Sequence, residues 1–391
     1  MGPLEGLVVL DLTRVLAGPY CGMMLADYGA NIYKIEPPVV GDDSRAFGPF
    51  VEKESAYFMS LNRNKRSMVL DFKNPAHIEV FKEMVKKADI VLENYKPGTM
   101  EKFGLGYDVL EQINPKIIYA ACSGFGHSGP YMLKPAYDII VQAMGGIMSI
   151  TGQEGGLPTR VGASVGDIIA GIFTAYAVML AMYHREKTGQ GQKIDVSMLD
   201  CQVAILENAI ARYATSGTAP TPIGNRHPSI TPFASFTASD GYVIVGAGND
   251  RLWKKLCDVL NKPEWLEDPD YESNGSRTNN VKKLQAEMDE VMKHKTIEEW
   301  IVILEEAGVP CAPINTVDRI VNDPQIKSRE MIVEVEHPVA GKLRMAGPPL
   351  KMSKTPGSVR FPAPMLGQHT NELLTEMFGW DAETIAKKLG E

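Results

Sequence analysis

The sequence predicts an α/β protein, with a large domain built on a parallel sheet and a smaller α+β domain following it. Two observations carry this prediction. Between residues 7 and 198, strand-like apolar runs alternate with helical ones, and beyond a Gly/Pro/Thr-rich stretch at Ser216 to Asn225 the pattern changes to a hairpin followed by helices. Alternation of that kind implies parallel strands joined by helices that cover the sheet. A chain of 391 residues is long enough for two domains and a large core. The expected division is 1–215, 216–330 and a C-terminal segment 331–391.

Leu7 to Leu12 reads as a buried strand, Pro19 to Tyr28 as a helix with proline in its first turn, and Asn31 to Glu36 as a second strand. The unit repeats with strand Ser67 to Asp71, helix Pro75 to Lys87 and strand Ile90 to Leu92. A helix at Tyr107 to Ile113 and a strand at Lys116 to Cys122 follow. Ile168 to Tyr183 carries no charge and little polar face, so a helix buried on all sides is expected. Its length falls short of the roughly 18 to 20 apolar residues a membrane span needs. Lys187 to Gln192 turns into the strand Lys193 to Met198, and Leu199 to Tyr213 is helical. In the smaller domain, Phe233 to Ala238 and Tyr242 to Gly246 flank Ser239-Asp240-Gly241 as a hairpin, with helices at Arg251 to Leu260, Asn279 to Met292 and Ile297 to Ala307. Two late strands, Ile332 to Glu336 and Lys342 to Met345, precede a Pro-rich arm and a final helix.

A formal net charge of -8 argues against nucleic acid as a partner, because phosphate binding needs a basic footprint. The five cysteines form no Cys-x-x-Cys pair, which argues against a disulfide framework and a zinc site. The seven histidines show no ligand spacing, so no metal is expected. No secretion signal is read in the first residues, and a reducing, cytoplasmic location is expected.

Asp167 is the residue with most chemical promise. It follows Val161-Gly-Ala-Ser-Val-Gly166 and stands where the apolar helix begins. One account is an N-cap, since Asp satisfies free backbone N–H groups there. The other is a nucleophile: a helix N-terminus favours an anion, and a carboxylate can attack an acyl carbon to form a covalent intermediate. Two patterns compete with it. Gly124-Phe-Gly-His-Ser-Gly129 matches a dinucleotide loop, but Pro130 and Pro135 break the helix that should follow. Gly162-Ala-Ser-Val-Gly166 matches a hydrolase elbow with Ser164 as nucleophile and His227, His337 or His369 as base, but the preceding segment is a poor strand. The basic run Arg63-Asn-Lys-Arg66 with Lys73 reads either as a solvated edge or as a phosphate site.

Taken in order, Leu10 to Pro19, Lys34-Ile-Glu-Pro37, Gly41 to Arg45, Asn62 to Ser67, Glu93-Asn94, Ala136-Tyr-Asp138, Gly166-Asp167, Lys187 to Gln192 and Leu366-Gly-Gln-His-Thr370 resemble the class III coenzyme A transferases, the CaiB/BaiF family. The resemblance covers essentially the whole chain. It implies a Rossmann-like large domain and an interlocked homodimer, with acyl-CoA and a carboxylic acid as substrates, no permanently bound cofactor and no membrane or nucleic-acid partner. It implies Asp167 as the nucleophile that carries CoA as an aspartyl thioester. It places CoA contacts on Val15, Ala17, Leu70, Lys73, Asn94 and Tyr95, with Lys96 and Lys102 flanking the adenine. Tyr137 and Asp138 fall near the thioester, and Arg45 on CoA or a substrate carboxylate. The racemase branch of the same fold has histidine where Tyr137 stands, and that base moves its α-proton, so transfer is expected over racemisation. The tetraglycine loop of the formyl-CoA branch is absent from residues 215–262. Gly224 to Phe233 looks most like the branch acting on dicarboxylates such as succinate and glutarate, with Arg226 or His227 meeting the remote carboxylate.

Overall fold

The computed structural model describes residues 2–390. They fall into two compact units: residues 2–147, 160–217 and 324–390 form one, and residues 148–159 and 218–323 form the other. The short segment 148–159 thus belongs with the second unit, which the linear division of the sequence does not anticipate.

The first unit is organised by six strands: β1 (Val8–Asp11), β2 (Asn31–Glu36), β3 (Lys65–Val69), β4 (Ile90–Glu93), β5 (Ile118–Ser123) and β6 (Gln192–Ser197). All neighbours pair in parallel, in the order β3-β2-β1-β4-β5-β6. The chain leaves β1 toward one edge and later returns beside it to build the other, so the crossover direction reverses between β1 and β4. In a sheet of this kind that reversal opens a crevice at the C-terminal ends of the strands, where ligands collect.

A short helix, α2 (Ala56–Leu61), precedes β3. Helices cover both faces. On one, α1 (Ala17–Asp27) and α5 (Val165–Thr188) pack with Val9, Ile32, Ile90 and Ile118. On the other, α3 (Pro75–Val85) and the C-terminal helices α10 (Thr370–Phe378) and α11 (Ala382–Leu389) bury Phe81, Met84, Leu373 and Ile385 against Leu10, Tyr33 and Met68. The C-terminal segment therefore returns to its own large unit. It also covers the edge strand β3: Ser67 donates to His369 Nδ1 and accepts from its N–H, and Val69 N–H donates to Thr370 Oγ1. An unpaired edge is an aggregation hazard, and the Leu366 to Thr370 motif blunts it.

Three expectations are corrected. Helix α5 has 24 residues and a mean hydropathy of 1.8 in its most apolar window, long enough by length and composition to cross a bilayer. Nor is it buried on all sides. Ala170, Thr174, Ala175 and Val178 face the core, whereas Ile172, Phe173, Tyr176, Leu180 and Tyr183 form an exposed stripe. The expected helix Leu199 to Tyr213 is two helices, α6 (Met198–Ala204) and a second at Glu207–Ser216.

In the second unit, β7 (Phe233–Ala238) and β8 (Gly241–Gly246) form the expected hairpin, and Cys311–Pro313 adds an antiparallel third strand, β9. Helices α7 (Asp250–Val259), α8 (Val281–Met292) and α9 (Ile297–Glu306) bury Trp253, Met288 and Trp300 against it. The fully buried Arg277 ties Thr231 O, Tyr271 O and Asp250 together at 2.8, 2.9 and 2.8 Å.

Candidate active site

A cavity of about 340 Å³ opens at the crevice between β1 and β4. Its walls include three strand ends and one helix: Arg14 to Ala17 after β1, Asn94 to Lys96 after β4, Ser123 and Gly124 at the end of β5, and Asp167 from α5. A second cavity of similar size shares Arg14, Tyr95 and Lys96 with it and continues past Leu70 and Lys73, after β3. The site is therefore elongated, suited to a long ligand with one end at Asp167 and the other near Lys73 and Lys96. Val15, Ala17, Asn94, Tyr95, Lys96 and Tyr137 line the first cavity, and Leu70 and Lys73 the second. Lys102 lines neither.

Asp167 is not an N-cap. Ser164 holds that position, without a side-chain capping bond, and Asp167 falls in the third position of the helix. Its carboxylate makes no hydrogen bond or ion pair among the described residues. Burial, with the charge of Asp138 added, pushes its pKa up to about 7. A carboxylate so poorly solvated is, while ionised, a stronger base and nucleophile than a fully hydrated one.

The backbone that presents Asp167 is tightly held. Asp138, first residue of α4 (Asp138–Met144), accepts from Gly166 N–H at 2.9 Å and from Gln142 Nε2 at 3.0 and 2.8 Å, with Arg160 at 3.2 Å. Gln142 Oε1 in turn accepts from Val161 N–H at 2.9 Å. Glycine is required at 166, where a Cβ would lie 2.7 Å from Val141 Cγ2. Asp138 thus braces the loop behind Asp167, while its neighbour Tyr137, 70% exposed, faces the opening.

Several sequence expectations acquire a different role. Arg45 grips Glu36 with two bonds of 2.7 Å, donates to Pro364 O at 3.2 Å and stacks over Phe58, so its guanidinium is committed inside the fold. The run Arg63-Asn-Lys-Arg66 is neither a solvated edge nor a phosphate site at its centre. Arg63 and Lys65 are buried, Arg63 paired with Asp27 at 2.6 Å and Lys65 with Asp11 at 2.9 Å. Arg226 lies in the second unit, paired with Glu154 at 2.7 Å, and His227 Nδ1 accepts from Ser229 N–H there. The hydrolase triad has no geometry behind it: His337 accepts from its own turn at Val339 and Ala340, and His369 from Ser67.

Arg14 escaped the sequence reading. It lines both cavities, pairs with Asp43 at 3.1 Å and stacks on the Tyr95 ring. Glu93 is a second acid with a raised pKa: burial pushes it up to about 7 against hydrogen bonds from Tyr95 N–H and Tyr119 O–H. In the sequence it is marked only as part of the Glu93-Asn94 motif, with no sign of its burial.

Residues 4–370 match the family described as CoA-transferase family III. The chain is 39% identical over 388 residues to the human succinyl-CoA:glutarate CoA-transferase, covering 99% of this chain and 89% of the relative. It is 44% identical over 353 residues to the acetyl-CoA:oxalate CoA-transferase of Acetobacter aceti, covering 90% of each. A crystal structure of a CaiB/BaiF family protein from Brucella suis superimposes with a TM-score of 0.86 at 37% identity, over 96% of this chain and 99% of that one.

Proposed function

The chain belongs to CoA-transferase family III, the CaiB/BaiF proteins, and from that premise we propose that it moves coenzyme A from an acyl-CoA donor to a dicarboxylic acid through a covalent thioester on Asp167. The observation that carries the mechanism is the Asp167 carboxylate itself, without a polar partner among the described residues at the wall of the elongated cavity.

An Asp167 oxygen attacks the donor thioester carbonyl, and the C–S bond breaks to leave a mixed anhydride and free CoA thiolate. The thiolate attacks the Asp167 carboxyl carbon, the donor acid leaves as its carboxylate, and CoA is held as an aspartyl thioester. The acceptor carboxylate attacks that carbon and expels the thiolate, which then attacks the acceptor's own carbonyl. The acceptor departs as its CoA thioester and Asp167 is a carboxylate again. No net proton or redox equivalent is consumed. Lys73, Lys96 and the Asn94-Tyr95 turn serve the nucleotide end of CoA, and the turn containing Val15 and Ala17 its pantetheine arm. CoA is substrate here rather than a resident cofactor.

Dicarboxylate specificity is supported by relatives that act on glutarate and oxalate by name. Arg226 or His227 is assigned to the acceptor's far carboxylate, a role for which Arg226 must first release Glu154. A homodimer, with chains interlocked, is supported by the exposed apolar stripe on α5, which water alone would leave costly. The five free cysteines suit a cytoplasmic location.

The test is incubation with succinyl-CoA and a panel of mono- and dicarboxylic acids, with new acyl-CoA species read by mass spectrometry. Transfer to dicarboxylates such as glutarate is expected. Absence of transfer with several donors, or α-proton exchange of a methyl-branched acyl-CoA in deuterated water, would contradict it.

A further inference from the structure

The turn joining β1 to α1 carries an unusual backbone. Val15, which lines the cavity beside Asp167, has φ 68°. A β-branched residue in the left-handed region is a genuine outlier, and it persists only where the surrounding structure holds it there. The neighbours of this turn supply that hold. Val15 N–H donates to Asp42 Oδ1 at 3.0 Å, and the same carboxylate accepts from Ser44 N–H and Oγ at 2.9 and 2.8 Å. Lys34, fully buried, forms an ion pair with Asp42 Oδ2 at 2.8 Å and donates to Thr13 O at 2.9 Å. Asn94 takes both polar groups of Arg14, its side chain accepting from the N–H at 2.8 Å and donating to the carbonyl at 2.7 Å. Lys65 bridges Asp11 and Pro19 O, both at 2.9 Å. Burial pushes the Asp42 pKa up, but the Lys34 charge and the N–H groups of Val15 and Ser44 more than offset it, so it stays ionised well below the usual carboxylate range. The turn also abuts the nucleophile's helix. A Cβ at Gly171, one turn after Asp167, would stand 2.6 Å from the Ala17 carbonyl oxygen.

We propose that Asp42, clamped by Lys34, is a positioning residue for CoA transfer: by holding Val15 in the left-handed conformation it fixes the cavity wall that aims the bound thioester at Asp167. The motif residues Lys34 and Gly41-Asp42 thereby act on catalysis without touching substrate. The inference rests on the transfer mechanism proposed above. It sets an expectation on the chemical step rather than on binding, because the nucleotide end of CoA is held by other segments.

The experiment is a double-mutant cycle of Asp42→Asn and Val15→Gly, read as kcat and KM for succinyl-CoA in transfer to glutarate, with circular dichroism as the check on folding. In the wild-type background, Asp42→Asn lowers kcat roughly 10- to 100-fold, as expected of a misplacement near 1 Å, and changes KM by less than about threefold. In the Val15→Gly background the same change costs less than about threefold in kcat, because glycine adopts this φ without needing to be held. A mere loss of stability would not be rescued in this way. A Val15→Pro variant, fixed near φ −65° and without an N–H for Asp42, alters a half-buried turn rather than the core and carries the question if Asp42→Asn does not fold. It is expected to lose kcat to a similar degree. Wild-type kcat in folded Asp42→Asn or in Val15→Pro, or an equal fall in both backgrounds, would overturn the inference while leaving the transfer mechanism standing. A wild-type chain that transfers nothing would remove both.

Discussion

The two walls of the cavity at the β1–β4 crevice are built on opposite principles. In the wall after β1, Thr13 O, Arg14 N and O, Val15 N and Pro19 O each meet a side chain, and the charges that hold them are themselves paired in the interior. In the wall from α5, the Asp167 backbone is braced through Gly166 and Asp138, but the carboxylate has no partner among the described residues and is driven up in pKa. Buried ion pairs add little net stability compared with apolar packing, yet leaving one member unpaired is strongly destabilising. Such a network is therefore a poor source of stability and a good source of geometry. It makes one wall rigid so that the other can keep an unsatisfied acid in place.

The comparison is broken most severely at the nucleophile. Asp167→Ala is expected to lower kcat for CoA transfer by roughly 10⁴-fold or more with the fold intact, measured with succinyl-CoA and glutarate. On the opposite wall, Lys65→Met strands the Asp11 carboxylate and should cost about 3–5 kcal/mol, read by urea unfolding. If Lys65→Met unfolds at the wild-type midpoint, the network does not hold the turn.

Removing the Asp167 charge should stabilise the fold. Its folded pKa, about 7, lies above the ordinary value of 3.8. The folded state therefore binds the extra proton between these values, and stability falls as pH rises from about 4 to 7. The cost is fully present above pH 7 and absent below 4. Asp167→Asn should gain on the order of 2 kcal/mol at pH 8, after allowance for partial solvation, and nothing at pH 4. A gain independent of pH would point to packing instead.

A smaller effect sharpens the contrast. Asp138→Asn removes the charge that helps raise the Asp167 pKa, so the rise of kcat/KM with pH should move to lower pH by some fraction of a unit. Glu93→Gln removes the other acid near 7 and should leave that rise where it is. The reverse result would assign the titration to Glu93.

Much of this architecture was legible from residue pattern, because parallel strands buried on both faces read as apolar runs such as Val8 to Leu10 and Ile90 to Leu92. Asp167 stood out for a similar local reason, as a lone carboxylate between a glycine loop and an uncharged helix. What stayed hidden depends on partners distant in sequence. Nothing near Arg63 or Lys65 reveals Asp27 or Asp11, 36 and 54 positions away, so a buried network looks like a basic surface run. Arg45 invited a ligand role for want of sight of Glu36. The exposed stripe of α5 was unreadable because apolar composition does not say which apolar face meets the core. The break at Ile205 and Leu206, between α6 and the next helix, falls within residues that all suit a helix.

The central claim is that Asp167 takes up CoA covalently. Peptide mass spectrometry after incubation with succinyl-CoA and then hydroxylamine tests it directly, with Asp167→Ala alongside. The expected result is a hydroxamate on the Asp167 peptide of the wild-type chain alone. An unmodified Asp167 in a chain that still transfers CoA, or a hydroxamate on another carboxylate such as Asp138 or Glu93, would contradict the account.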